Sequence, residues 1–194
     1  IVDAAMTDGV AALMAAIYGM HAAGIWTDDR QANILDGGAH FYNSYETSDG
    51  KFISIASIEK KFYEELLQLT GFVDPDHLAH ADRKQWKVNK EKMASMIKEK
   101  TRDEWCAILE GTDVCFAPVL SISEAPHHPH NIARKTFTEV DGVVQPSPAP
   151  KFSRTKSKIQ SSPSSVGEDT RSCLVDWGFA VSDVDDLFEK GVLK

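Results

Sequence analysis

Phe41-Tyr42-Asn43-Ser44-Tyr45-Glu46-Thr47-Ser48-Asp49-Gly50-Lys51-Phe52-Ile53-Ser54-Ile55-Ala56-Ser57-Ile58 decides the fold. Two β-prone runs flank Asp49-Gly50, and glycine accepts the positive φ that a tight hairpin turn demands. The reading is a hairpin of strands Phe41–Thr47 and Phe52–Ile58. From Glu59 the period changes: Phe62, Leu66 and Leu69 recur at helical spacing, and Gly71 is placed to end the helix. A hairpin that runs straight into a helix gives an α+β unit rather than a β-sandwich or a helical bundle.

Working outward toward the C-terminus, a second helix spans roughly Asp82 to Lys100, with Trp86, Met93 and Ile97 on one face. Thr101-Arg102-Asp103-Glu104 has the capping-box pattern, in which Thr bonds the N3 amide and Glu reaches back to the cap amide. A short helix with Trp105, Ile108 and Leu109 follows and stops at Gly111, and Val114–Val119 reads as a short strand ended by Pro118. Asp141-Gly142 marks a second hairpin between Phe137–Val140 and Val143–Gln145. Pro146 to Ser165 is rich in Pro and Ser and reads as an extended connector. Two tail helices are expected, one from about Glu168 to Trp177 and one capped by Ser182 with Val184, Leu187 and Phe188. Toward the N-terminus, Gly24–Gly38 is irregular, and Ile1 to about Ala23 reads as one Ala- and Met-rich helix, apolar nearly all round. Such a helix is buried between other elements, yet little else in the sequence is available to cover it. Missing upstream chain or a partner subunit would supply that cover, and the chain itself divides into a lead helix and linker (1–36), a small α+β domain (37–145), a connector (146–167) and a helical tail (168–194).

With 42% hydrophobic residues in 194, the chain has enough apolar side chains for a real core. Its net charge of -8 argues against general nucleic-acid binding, which needs Lys and Arg to replace phosphate counterions, but leaves room for a small basic site. The apolar run from Val10 breaks at Gly19, short of a membrane span, and no basic region precedes it as in a signal peptide. Cys106, Cys115 and Cys173 show neither zinc spacing nor a disulfide framework, so a reducing compartment is the default. The closing Val192-Leu193-Lys194 is not an SKL-type signal. The compartment stays open: cytoplasmic in a bacterium, mitochondrial or peroxisomal in a eukaryote.

Few residue clusters carry chemistry on spacing alone. His127-His128-Pro129-His130 is the most metal-like, but proline breaks any i,i+4 pairing and no Cys or carboxylate stands at ligand spacing, so a solvated loop is the better reading. Asp36-Gly37-Gly38 lacks the setting of a phosphate loop and reads as a turn. No serine sits in a GxSxG elbow. Met6, Met14 and Met20 fit either core packing or a pliable wall for a greasy substrate. Glu59, where strand passes into helix, fits either a helix cap or a carboxylate that orients a catalytic histidine.

These segments together resemble the 2-methylacyl-CoA racemases of the family III CoA-transferase (CaiB/BaiF) group. Val2-Asp3-Ala4-Ala5-Met6-Thr7-Asp8-Gly9, Leu35-Asp36-Gly37-Gly38-Ala39-His40-Phe41-Tyr42 and Ile58-Glu59-Lys60-Lys61-Phe62-Tyr63 carry the likeness. Glu104-Trp105, Gly111 to Cys115, Ala117 to Leu120, His130-Asn131 with Arg134, and Pro148-Ala149-Pro150 extend it in consistent order. The resemblance implies an interlocked homodimer. In each chain a Rossmann-like large domain is joined by a crossing helix to a small α+β domain, and a C-terminal tail returns to the large domain.

The resemblance also implies inversion at C2 of 2-methyl-branched acyl-CoA thioesters through an enolate. A His and an Asp upstream of this chain would move the proton, so the chain alone is expected to be inactive. Glu59 matches the glutamate that hydrogen-bonds that His. Leu35, Tyr42 and Ile58, with Met6 beside them, match positions that line the acyl pocket. Acyl-CoA is then substrate, and no separate cofactor or metal is implied. His40 stands where the family usually has Pro, which is expected to alter the rim of the acyl site. Lys60 and Lys61 replace Pro-Gln and are expected to place positive charge near Glu59. The alternatives are a family III CoA-transferase that moves CoA between carboxylic acids, whose members do not generally keep a Glu at position 59, and a non-catalytic binding fragment.

Overall fold

The computed structural model describes residues 1–193, apart from the side chain of Leu78; Lys194, the last residue of the tail, lies outside them. Backbone contacts divide the chain into two compact units, Ile1–Leu120 and Ser121–Lys194.

In the first unit the hairpin forms where Asp49-Gly50 predicts it, with β1 (Tyr42–Glu46) antiparallel to β2 (Phe52–Ala56) and Gly50 at φ 73°. β3 (Phe116–Val119) pairs antiparallel with β2, which makes a three-stranded sheet of order β1-β2-β3. Strand alternation sends Ile53, Ile55 and Tyr45 into the core and leaves Tyr42, Ser44, Ser54 and Ala56 on the opposite face. α3 (Lys60–Thr70), α4 (Arg83–Ile97) and α5 (Arg102–Leu109) add Tyr63, Leu66, Trp86, Met93, Ile97, Trp105 and Leu109 to the core, and Ala39, Phe41, Phe72 and Val114 join it from the connecting segments. Each fully buried aliphatic or aromatic side chain contributes about 1.5–3 kcal/mol of transfer free energy. α3 turns a different face inward from the one its periodicity marked. Tyr63 and Leu66 are buried, whereas Phe62 is half-buried and Leu69 is exposed, because the aromatic cluster below α3 receives Tyr63 through its hydroxyl. The capping box at Thr101 and Glu104 is present with both arms made. Asp49 in the hairpin turn accepts from Thr47 Oγ1 at 2.6 Å and from the Arg102 amide at 3.2 Å, which ties the turn to the start of α5.

The lead segment departs from expectation. It forms two helices, α1 (Met6–Leu13) and α2 (Ala15–Ala22), interrupted at Met14, and neither has a buried residue. Met6 is 88% exposed. A helix apolar on every side finds cover only if other elements surround it, and within this chain they do not.

The second unit begins with α6 (Pro129–Arg134) and continues with the hairpin of β4 (Phe137–Val140) and β5 (Val143–Pro146). These two strands pair only with each other, so the hairpin grouped by sequence with 37–145 belongs to the second unit instead. Residues 147–169 contain no helix or strand. α7 (Thr170–Asp176) and α8 (Val181–Glu189) follow. Ala180, not Ser182, occupies the N-cap of α8, and no side chain caps it. Among the described residues no helix is long and apolar enough to cross a membrane.

Candidate functional site

Glu59 is the N-cap of α3: its backbone is extended (φ -74°, ψ 140°), and its carbonyl accepts from the amides of Phe62 and Tyr63, each at 3.0 Å. Its side chain makes no capping bond and is exposed. The helix uses the backbone of Glu59 and leaves the carboxylate unengaged by any hydrogen bond or ion pair among the described residues. Lys60 pairs instead with Glu64 at 3.7 Å, and the Lys61 ammonium lies 4.3 Å from the Phe62 ring centre. Cys115 is the thiol that feels Glu59: partial burial first, and then the Glu59 carboxylate, push it up. It is therefore a protonated thiol and a poor nucleophile.

The corner that carries Glu59 is fixed from inside. Ser57 Oγ donates to the Val114 carbonyl at 2.6 Å, and the Ser57 amide to Phe41 at 2.9 Å. His80 Nε2 donates to the Ile58 carbonyl at 2.9 Å, and its ring stacks on Tyr63 with centroids 4.7 Å apart. Tyr63, one turn into α3, donates its hydroxyl proton to Asp74 at 2.7 Å. With that proton committed, the Tyr63 oxygen can only accept from His40 Nε2, 2.8 Å away. His40 thus carries a proton on Nε2, and its buried Nδ1 has no hydrogen-bond partner among the described residues. Burial, opposed by Asp74 and assisted by His80, pushes its pKa down to about 4. Burial and then Asp74 raise the Tyr63 phenol well above its ordinary value.

A cleft of about 310 Å³ is lined by Leu35, Asp36, Gly37, Tyr42 and Ala56 among others. Its floor is the outward face of the β1–β2 hairpin. Its rim is the Asp36 turn, where the carboxylate accepts from the Asn33 amide at 2.9 Å, the Asn33 side chain at 2.9 Å and the Gly38 amide at 3.1 Å. Partial burial works to raise the Asp36 pKa, but these bonds outweigh it and hold the group below the usual carboxylate value. Gly38 is required here, since a Cβ would come within 2.7 Å of the Asn33 carbonyl oxygen.

The structure thus brings Leu35 and Tyr42 into one cleft, Ser57 and Ile58 separate cleft-lining Ala56 from Glu59 along the chain, and Ile58 packs half-buried against the core. Met6 stands on exposed α1 and does not line this cleft. The expected place of His40 at a pocket rim is corrected: it is fully buried, because its ring completes the Tyr63–Asp74 network. Nothing in the spacing of positions 40, 63, 74 and 80 announces this network. The one available signal was a histidine embedded between Ala39 and Phe41, both fully buried. Among the described residues no group of three or more His, Cys, Asp or Glu is arranged to hold a metal.

Comparison with known proteins adds to this geometry. The pattern of CoA-transferase family III matches residues 1–170. The alpha-methylacyl-CoA racemase of Mus musculus is 38% identical over 200 residues, covering 100% of this chain and 51% of the mouse protein. That of Homo sapiens is 36% identical over 190 residues, covering 96% and 50%. The chain spans about half the length of these relatives. Among solved structures, the Rv3272 protein of M. tuberculosis superimposes with a TM-score of 0.62 at 16% identity, over 86% of this chain and 43% of that one. A CaiB/BaiF family protein from Brucella suis gives 0.55 at 20% identity, over 70% and 37%. At these identities the two structures speak for the fold.

Proposed function

The chain belongs to CoA-transferase family III, and on that premise we propose that it forms the C-terminal part of a 2-methylacyl-CoA racemase. The observation that carries the proposal is the exposed Glu59 carboxylate, unused by its own helix, just past the end of β2, the strand whose Ala56 lines the cleft of Leu35 and Tyr42. The racemase relatives, 38% and 36% identical, favour this over the transferase reading.

The chemistry needs a base on one face of C2 and an acid on the other. The base takes the α-proton, the electron pair moves onto the thioester oxygen as an enolate, and the acid returns a proton to C2 from the opposite side. In this reading a His and an Asp outside the chain do the transfer. Glu59 accepts a hydrogen bond from that imidazole, which fixes its tautomer and favours the protonated form. Leu35, Tyr42 and Ile58 hold the branched acyl chain, and Met6 meets it from a second subunit of a homodimer. That arrangement would also cover the apolar faces of α1 and α2. Acyl-CoA is the substrate, and no further cofactor takes part.

The test uses the complete protein with one C2 epimer of a 2-methylacyl-CoA. Appearance of the other epimer, read by chiral chromatography, is the result expected. CoA transfer to an added carboxylic acid without epimerisation would replace the proposal with the transferase reading.

A further inference from the structure

Residues 27–38 form a wall with space on both sides. Leu35, Asp36 and Gly37 line the cleft of about 310 Å³. Thr27, Arg30, Gln31 and Gly38 line a second cavity, of about 610 Å³, together with Arg83, Lys87 and Lys90 of α4. The side-chain hydrogen bonds within this wall are local. Asp36 binds Ala32, Asn33 and Gly38, and Asn33 binds Thr27 and Asp29, none across more than 6 positions. Ile34 and Ala39 pack against the core and anchor the two ends of the tip, residues 35–38. Between those anchors the tip has a cavity behind it instead of packed side chains. Among the described residues, the two hydrogen bonds that join the wall to a distant part of the chain both start at Lys90.

Lys90 stands on a firm base. Trp86, Asn89, Met93 and Ile97 bury one face of α4 in the core, so the helix backbone beside Lys90 is fixed. Its ammonium donates to the Gly37 carbonyl at 2.7 Å and to Gln31 Oε1 at 3.4 Å. Asp29 and Glu91 line the same cavity, yet Lys90 forms an ion pair with neither among the described residues. A charged donor makes a stronger bond to a carbonyl than a neutral one does. The neighbouring cations do not share this role. Arg83 donates to the Ile25 carbonyl, ahead of the wall. Lys87, one turn before Lys90, makes no hydrogen bond or ion pair among the described residues.

We propose that Lys90 is a positioning residue of the cleft: its bond to Gly37 holds the rim at residues 35–37 in place, and that rim sets how tightly the acyl part of a thioester is bound. The proposal rests on the reading of this cleft as the acyl site, and it is independent of the role given to Glu59. A rim already in place needs no ordering when the acyl chain enters. A rim free to swing toward the cavity behind it must be ordered first, and affinity falls by that cost. The acyl chain is held alike in the ground state and the transition state, so losing the strut raises KM and leaves kcat little changed.

Calorimetry on the complete protein, with a 2-methylacyl-CoA and with CoA itself, isolates the acyl contribution. K90M keeps the bulk of the side chain and removes its donors. It is expected to weaken thioester binding by about tenfold and to leave CoA binding unchanged. K87M removes the same charge from the same cavity and is expected to bind as wild type, with circular dichroism confirming that both variants fold. Hydrogen–deuterium exchange is expected to quicken in residues 31–38 of K90M alone. Full thioester affinity in K90M, an equal loss for CoA, the same loss in K87M, or unchanged exchange in 31–38 would overturn the proposal and leave the reading of the cleft standing. Wild-type protein that binds the thioester no more tightly than CoA would overturn both. The K90M loss in a protein that passes CoA to an acid without epimerisation would uphold Lys90 and refute the racemase reading alone.

Discussion

Glu59 is gripped by its backbone and free at its carboxylate. In the proposed reaction this separates two effects of one residue, because Glu59→Gln leaves the cap intact while removing the charge that orients an imidazole. Turnover of the complete protein is expected to fall by about tenfold or more with KM little changed. Equal racemisation by the variant would return Glu59 to the plain role of a helix start. The His40–Tyr63–Asp74 network behind it is a stability device. Tyr63→Phe strands the Nε2–H of His40 and an Asp74 oxygen in the core, and about 3 kcal/mol of stability should be lost in urea unfolding. His40 adds a pH dependence whose sign follows from its folded pKa of about 4, below the ordinary 6.5. The unfolded chain binds the extra proton between these values, so stability is full above pH 6.5 and declines as pH falls toward 4. The total loss is about 3 kcal/mol. Urea midpoints at pH 7 and pH 4.5 read this, and His40→Gln should flatten it.

At the scale of elements, the hairpin, α4 and the capping box were legible because each carries a local signal: Asp49-Gly50, the Trp86–Met93–Ile97 spacing, and the Thr101/Glu104 pair. Thr101→Ala should cost about 1 kcal/mol in thermal or urea unfolding, the usual loss for a cap. The inward face of α3 was not legible from apolar spacing. Tyr63 goes inward for a hydroxyl contact with Asp74 in a later loop, and such a partner has no signature in the helix itself. The Asp36 turn was legible from its own short glycine motif, though its closing partner Asn33 was not. It is not a phosphate loop but a rim closed on Asn33, and Gly38→Ala should destabilise it by about 2 kcal/mol, since the new Cβ meets backbone rather than a movable side chain.

Across the molecule, the candidate site was legible through resemblance more than through physics. Leu35 and Tyr42 do meet in one cleft, but periodicity alone would not have joined residues from a loop and a strand. Met6 remains apart because α1 packs against nothing that buries it here. In the proposed racemase this chain supplies a pocket wall and an orienting carboxylate, and the proton-moving groups come from outside it. Deuterium incorporation at C2 of a 2-methylacyl-CoA in heavy water, followed by mass spectrometry, tests that division most directly. The complete protein is expected to exchange the α-proton and the 194-residue chain alone to leave it in place. Exchange by the isolated chain, or none by the complete protein, would contradict the account.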